Sequence, residues 1–383
     1  MRVKVMDEVS QAGLSVLDFN KLECVDKNGD GIIVRSGTVS AGELTPDLLA
    51  IARVGVGVDN IPMKECTEAG IVVFITPNGN ANAVKELVIS ALLLSSRDII
   101  GAANWVQTLK DNVENRTKDG RFDFIGPEIS GKTLGVIGLG DIGVLVANSA
   151  HDLGMNVMGY DPFISVKAAW KLTRTVNLTN SFDEILQNCD YISLHLPLNE
   201  STRGMIDEKS FKSMKDGVRL INYARGEIVE EDALLNALKS GKLAKYVTDF
   251  ADEGLLGNDN IIITPHLGSV TPESEEKCAS MAAMQLADYL KNGNIANSAN
   301  FPECVMDRVG GTRIIILDMD IPNMIGQFSN ILGKNGYNII KMASNGKDGY
   351  GCTIADIEGD RNKLTDTVRE IAAIDGVIRV RIV

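Results

Sequence analysis

Histidine is scarce in this chain of 383 residues: the three copies are His151, His195 and His266. Acid–base chemistry near neutral pH therefore has few places to reside. The six cysteines, at 24, 66, 189, 278, 304 and 352, are scattered without a C-x-x-C pair. That spacing excludes a disulfide framework and a cysteine zinc site, and no metal is expected. No apolar run approaches the roughly 20 residues of a membrane span. There is no low-complexity segment and no internal repeat. Basic residues are outnumbered 38 to 51, for a net charge of −13. Nucleic acid and anionic membrane are thereby disfavoured as main partners, and an anionic substrate would need locally placed arginines. The opening MRVKVMDEVS reads as a strand with early acids rather than a signal peptide, so a cytoplasmic protein is expected.

What the chain does carry is TLGVIGLGDIG, residues 133–143. Leu134 to Ile137 reads as a buried parallel strand. Gly138, Gly140 and Gly143 then form G-x-G-x-x-G where a helix should begin. The first glycine permits a tight turn, the second lets a pyrophosphate approach the backbone, and the third lets helix and strand pack closely. The free N–H groups at the helix start would face the phosphates. A helix expected over Val144–Leu153 ends at Gly154, and a second strand, Asn156–Tyr160, closes with Asp161. That acid stands eighteen residues past Gly143, where a carboxylate accepts from the adenosine ribose and repels a 2′-phosphate. NAD is the expected cofactor.

Strands and helices alternate on both sides of this motif. Lys4–Met6, Gly31–Val34, Ala52–Val56 and Ile71–Ile75 read as strands, with helices such as Thr45–Ala50 between them. In RVGVGVDNI (53–61), two glycines offer backbone N–H groups to an anion beside Arg53; a plain βα turn is the alternative. TPNGNANAVKE (76–86) is a second turn running into a helix-rich connection over Ala83–Lys110. Later strands end at polar groups: Asp190–Pro197 at His195, Gly217–Tyr223 at Arg225, Lys245–Phe250 near Asp249, and Asn260–Thr264 before His266. Open α/β sheets bind ligands at such carboxyl edges. A helix follows over Pro272–Leu290, and Asn292–Gly311, rich in Asn, Pro and Gly, reads as a linker. The remainder should be a separate βαββαβ unit: strand Arg313–Asp318, helix Met324–Lys334, strands Tyr337–Ala343 and Gly351–Ile357, helix Asn362–Ile374, strand Val377–Val383. The fold class is thus α/β, with two Rossmann-like doubly wound parallel-sheet domains and a C-terminal ferredoxin-like α+β domain.

Oxidising an alcohol with NAD needs a base for the hydroxyl proton and a cation to hold an acidic substrate. His266 is the best base, because it follows a strand end and a proline with glycine after it. His151 reads as a mid-helix surface or packing residue, and His195 as a cofactor-side or structural one. Arg225 supplies a guanidinium that can grip a carboxylate with two hydrogen bonds. Pairing of Arg225 with Glu227 or Glu230 is the structural alternative.

GLGDIG with Asp161, NYARGEIVEEDAL (222–234), VTDF (247–250) and TPHLGSVTPES (264–274) resemble, in order and spacing, the D-isomer-specific 2-hydroxyacid dehydrogenases. RVGVGVDNI and TPNGNANAVKEL are similar to the phosphoglycerate-oxidising members. The tail from Gly311 resembles an ACT domain. The resemblance implies that Arg225 clamps the substrate carboxylate, that His266 is the acid/base, and that Arg53, Val56, Gly57 and Asn80 line the substrate pocket. It implies cofactor contacts from Gly138, Gly140, Asp141, Ile142, Gly143, Asp161, His195, Leu196, Pro197, Thr202, Tyr223, Ala224, Arg225, Asp249, His266 and Gly268. The family's glutamate behind the catalytic histidine would fall at Gly254, so Glu253 is expected to serve after a one-residue slip. The implied domains are 1–97 with 272–300 for substrate, 98–271 for NAD, and 312–383 for regulation or dimerisation. A homodimer or homotetramer is implied, with an amino-acid effector conceivable at the tail. Other small 2-hydroxy acids, and a non-catalytic NAD-sensing scaffold, stay open.

Overall fold

The computed structural model describes residues 1–360 and 364–383. The chain divides into two compact units, Met1–Gly79 with Pro272–Val383, and Asn80–Thr271.

The first unit begins with a parallel sheet of β1 (Arg2–Val5), β2 (Glu23–Val25), β3 (Gly31–Val34), β4 (Ala50–Arg53) and β5 (Val72–Phe74), in the order β2-β1-β3-β4-β5. The expected helix Thr45–Ala50 does not form. Pro46 interrupts it, the Leu48 N–H donates to the Thr45 carbonyl in a turn, and buried Ala50 already belongs to β4. The helix Pro272–Asn292 lies on this sheet, burying Cys278, Ala279, Ala282, Ala283 and Leu286 among Val3, Leu17, Ile33 and Ala52. Its small residues allow the close approach that a helix on a parallel sheet requires.

The second unit is built on seven parallel strands: β6 (Thr133–Ile137), β7 (Asn156–Tyr160), β8 (Asn177–Thr179), β9 (Tyr191–Leu194), β10 (Val218–Asn222), β11 (Leu243–Thr248) and β12 (Ile261–Ile263). Their order is β12-β11-β10-β9-β6-β7-β8. The winding reverses between β6 and β9, which makes the carboxyl ends of that pair the ligand crevice of such a sheet. This unit starts at Asn80, earlier than the expected 98. Helix Ala81–Ser96 buries Val84, Val88, Ala91 and Leu92 in one core with Val144 and Ala147 of the nucleotide-site helix.

The C-terminal part is an antiparallel sheet of β13 (Thr312–Met319), β14 (Asn338–Lys347), β15 (Tyr350–Glu358) and β16 (Val377–Ile382), in the order β14-β15-β13-β16. With helices Met324–Lys334 and Leu364–Ala372 it has the expected ferredoxin-like path. The expected start of the second helix, at Asn362, lies outside the described residues. The tail is not separate, however. Strand alternation sends Ile314, Ile316, Ala355 and Ile357 to its own helices. It sends Ile315, Leu317, Cys352 and Ile354 into the core that holds Tyr289, Leu290 and Phe74. The segment expected to be a linker is likewise packed, with Ile295, Phe301, Cys304 and Met306 buried and Ile295 bridged to Cys304. Buried Arg313 joins Asp356 through two hydrogen bonds and donates to the carbonyls of Asn292 and Met306. Arg381 donates to the carbonyls of Tyr289 and Leu290 near the end of the long helix, where cations are favoured.

Candidate cofactor and substrate sites

In the second unit, the glycines after β6 each answer a steric demand. Gly138 has φ +93°, and a Cβ there would lie 2.4 Å from the His195 carbonyl oxygen. A Cβ on Gly143 would lie 1.9 Å from the Gly138 carbonyl oxygen. A Cβ on Gly140 would meet nothing within 4 Å. Gly140 is also the N-cap of helix Asp141–Asp152 and offers no side-chain cap. The helix start therefore presents uncapped N–H groups to open space, which fits a pyrophosphate. Asp161 follows β7 and accepts from the N–H groups of Leu139 and Phe163, at 2.8 Å each. Its carboxylate is thus fixed against the glycine loop. Asp141 is paired with Lys171 at 3.3 Å, and Ile142 packs on the core.

His195, just beyond β9, holds Ser193 at 2.8 Å through Nε2, while its Nδ1 is buried without a hydrogen bond among the described residues. Burial pushes its pKa down to about 3, so the ring is neutral at physiological pH and belongs to the floor of the crevice. The loop after it is closed by Thr202, whose hydroxyl donates to the Pro197 carbonyl and accepts from the Asn199 N–H.

Arg225 stands in the turn after β10. Asn222, fully buried, builds that turn: its amide donates to the Arg225 carbonyl and its oxygen accepts from the Ala224 N–H. Sequence reading passed over Asn222, although a polar residue ending an apolar strand was a usable signal. Arg225 is exposed, donates once to the Ala224 carbonyl, and makes no ion pair among the described residues. Neither Glu227 nor Glu230 holds it.

Asp249 is 3% exposed and serves the turn after β12. It accepts from the Thr264 hydroxyl and from the N–H groups of Leu267 and Gly268. The turn holds His266 at φ +56°, with the ring exposed and edge-on to Phe250 at 5.3 Å. Tyr223, its pKa pushed up to about 12 by burial, adds a hydrogen bond to Thr264. No carboxylate bonds to His266 among the described residues. Glu253 is exposed on the short turn Glu253–Leu255, and Asp252 is spent capping Gly254. A Cβ on Gly254 would lie 1.8 Å from Oε1 of Glu231, so a different acid occupies the place of that missing side chain. The same Glu231 lines a cavity of about 470 Å³ with Tyr246, Phe250, Asp252 and Leu255. Sequence reading missed Glu231, because nothing local ties residue 231 to residue 254.

Residues 89–268 match the model of the D-isomer specific 2-hydroxyacid dehydrogenase NAD binding domain. This is the NAD-binding domain of that dehydrogenase family. D-3-phosphoglycerate dehydrogenase of Homo sapiens is 34% identical over 323 residues, covering 78% of this chain and 58% of that protein. The Bacillus subtilis protein of the same name is 35% identical over 326 residues, covering 80% and 60%. The chain thus spans less than two thirds of these curated relatives. A solved NAD+-bound 3-phosphoglycerate dehydrogenase from Entamoeba histolytica superposes with a TM-score of 0.62 at 28% identity, covering 78% of this chain and 98% of that one. The glycine geometry, the uncapped helix start and fixed Asp161 agree with the dehydrogenase family's cofactor.

In the first unit, Arg53 ends β4 and its guanidinium lies across Gly55, donating to the Val54 carbonyl at 2.8 Å. Gly55 has φ +134°, and a Cβ there would overlap the guanidinium. Its N–H is taken by the Thr76 hydroxyl at 2.7 Å, so it is not offered to an anion. The N–H groups of Val56 and Gly57 make no hydrogen bond among the described residues. Asn80, in the second unit, begins the helix Ala81–Ser96 without a side-chain cap. Of the expected substrate residues, Arg53, Val56 and Gly57 therefore share one turn.

Proposed function

We propose that the chain is an NAD-dependent dehydrogenase that oxidises 3-phospho-D-glycerate to 3-phosphohydroxypyruvate, the first step of phosphorylated serine synthesis. The observation that carries this reading is the state of Arg225 and His266. Both stand on strand-end turns of an NAD-binding domain without an ionic partner among the described residues. Arg225 would hold the substrate carboxylate through a bidentate contact and polarise the C2 oxygen. His266 would take the C2 hydroxyl proton as the carbonyl forms. When bound, NAD supplies the hydride acceptor for the C2 hydrogen. Glu253 is our acid for the imidazolium, within reach from its exposed turn. Arg53 and the unbonded N–H groups beside it support a phosphate rather than a neutral end group, as do the names of the curated relatives.

The exposed apolar side chains Ile99, Ile100, Val106, Phe122 and Ile125 support a homodimer or homotetramer. No helix among the described residues is long and apolar enough to cross a membrane, and the reading places the enzyme in the cytoplasm. The tail supports an ACT assignment through its strand order. NADH formation with 3-phospho-D-glycerate, D-glycerate and D-lactate tests the reading. Preference for the phosphorylated acid is expected. Equal turnover of all three would overturn the substrate, and NADH binding without any turnover would favour a scaffold.

A further inference from the structure

Arg35 directly follows β3, as Arg53 ends β4, and Val34 stands opposite Arg53 in the parallel register. Two guanidiniums thus issue from adjacent strands at the carboxyl edge, where such sheets receive ligands. Their charges are close enough that Arg35 lowers the pKa of Arg53, adding to the larger effect of burial. The positions that could hold an outside anion beside them already hold the chain's own. The N–H groups of Arg35, Ser36 and Gly37 converge on the carboxylate of Asp7, at 2.8, 2.5 and 2.7 Å. The guanidinium of Arg35 is paired with Glu275 at 3.1 Å.

These two contacts differ in permanence. Asp7 is fixed by three backbone donors. Glu275 is held by one pair whose side chains keep 37% and 28% exposure, a contact of modest strength. It also sits in the first turn of the helix Pro272–Asn292, where the helix dipole keeps its carboxylate stable once released.

We propose that Glu275 is a specificity residue: an internal carboxylate that occupies Arg35 and yields it only to a strong anion such as a phosphate. This rests on the substrate reading above. A tethered anion competes at high effective concentration and lowers the apparent affinity of every ligand that needs Arg35. A phosphate, with nearly two charges and three acceptor oxygens, displaces it. A hydroxyl or a single weak acceptor does not. The pair therefore raises the KM for the phosphorylated substrate slightly while closing the site to smaller acids.

The test is Glu275→Gln in the full-length protein, with Arg35→Gln and the double variant. In Glu275→Gln, the KM for 3-phospho-D-glycerate should fall about two- to fivefold, and inorganic phosphate should become a stronger competitive inhibitor by a similar factor. The change should fall on KM rather than kcat. Arg35→Gln should raise KM, and adding Glu275→Gln to it should give no further gain. An unchanged or raised KM in Glu275→Gln, with the wild type active on 3-phospho-D-glycerate, overturns the inference alone. A wild type that does not oxidise 3-phospho-D-glycerate overturns the substrate reading and this inference with it.

Discussion

At the scale of single residues, the site separates groups that hold position from groups left free to react. Asn222, Asp249 and Thr202 spend their polar atoms on turns, whereas Arg225 and His266 keep theirs exposed. His195 is excluded as the base by its environment, because a ring that protonates only near pH 3 cannot accept and return a proton at neutral pH. His266→Ala should therefore lower kcat by about 10²–10⁴-fold, while NADH titration by fluorescence shows binding retained. The acid that assists it is settled by pH profiles. A carboxylate facing the imidazolium raises the histidine pKa, so its removal moves the acid limb of kcat/KM to lower pH. That shift is expected for Glu253→Gln and not for Glu231→Gln. The reverse result would give the role to the acid that overlies Gly254.

At the scale of elements, the glycine loop allows two otherwise similar substitutions to be told apart. Gly138→Ala places a methyl against the His195 carbonyl at a left-handed φ, so it should lower the melting temperature. Gly140→Ala meets open space within the protein, so its melting temperature should stay close to wild type. NADH should nonetheless bind at least about tenfold more weakly, since the methyl stands where the pyrophosphate approaches. Calorimetric binding beside thermal melts checks both.

The end of β13 makes a second prediction at this scale. Asp318 is 3% exposed and, by burial and the nearby Asp320, its pKa is pushed up to about 7. It lines a cavity of about 480 Å³ with Asp320, Asn323, Ser344 and Thr353, and no lysine or arginine lines it. The folded chain holds this proton more tightly than the unfolded one. Its contribution is therefore fully present below about pH 4 and lost as pH rises through 7. Asp318→Asn should melt higher than wild type at pH 8 and close to it at pH 4. Equal melting at both pH values would show the acid to be unstrained.

At the scale of the molecule, the tail is part of the first unit's core. Ending the chain near Asn300 would uncover Tyr289, Leu290 and Phe74, and leave the carbonyls that Arg381 and Arg313 serve without those donors. The truncated protein should aggregate or melt well below the full chain, by differential scanning calorimetry, instead of behaving as an intact enzyme lacking a module. The acidic cavity also bears on regulation. Two carboxylates suit an ammonium but repel the carboxylate of an amino acid, so millimolar L-serine should inhibit the full chain weakly or not at all. Micromolar serine binding by calorimetry would overturn that expectation.

Local pattern was enough for much of this protein. The glycine spacing, the apolar runs and the alternation of strand and helix gave the parallel sheets, the nucleotide turn and the strand ends bearing Arg225, Asp249 and His266. Those features depend on near neighbours in the chain, where backbone geometry and side-chain period leave few choices. Tertiary structure decided what depends on distant partners. Helix Ala81–Ser96 joined the nucleotide unit because its apolar face fits the helix after Gly140. The Asn- and Pro-rich stretch after the long helix was packed because a few buried side chains, Phe301 and Met306 among them, outweigh its composition. The tail sheet, whose alternation showed two apolar faces, found its second partner in its own chain. Glu231 came to overlie Gly254, and Glu275 to hold Arg35, across sequence gaps of 23 and 240 residues that no local rule spans.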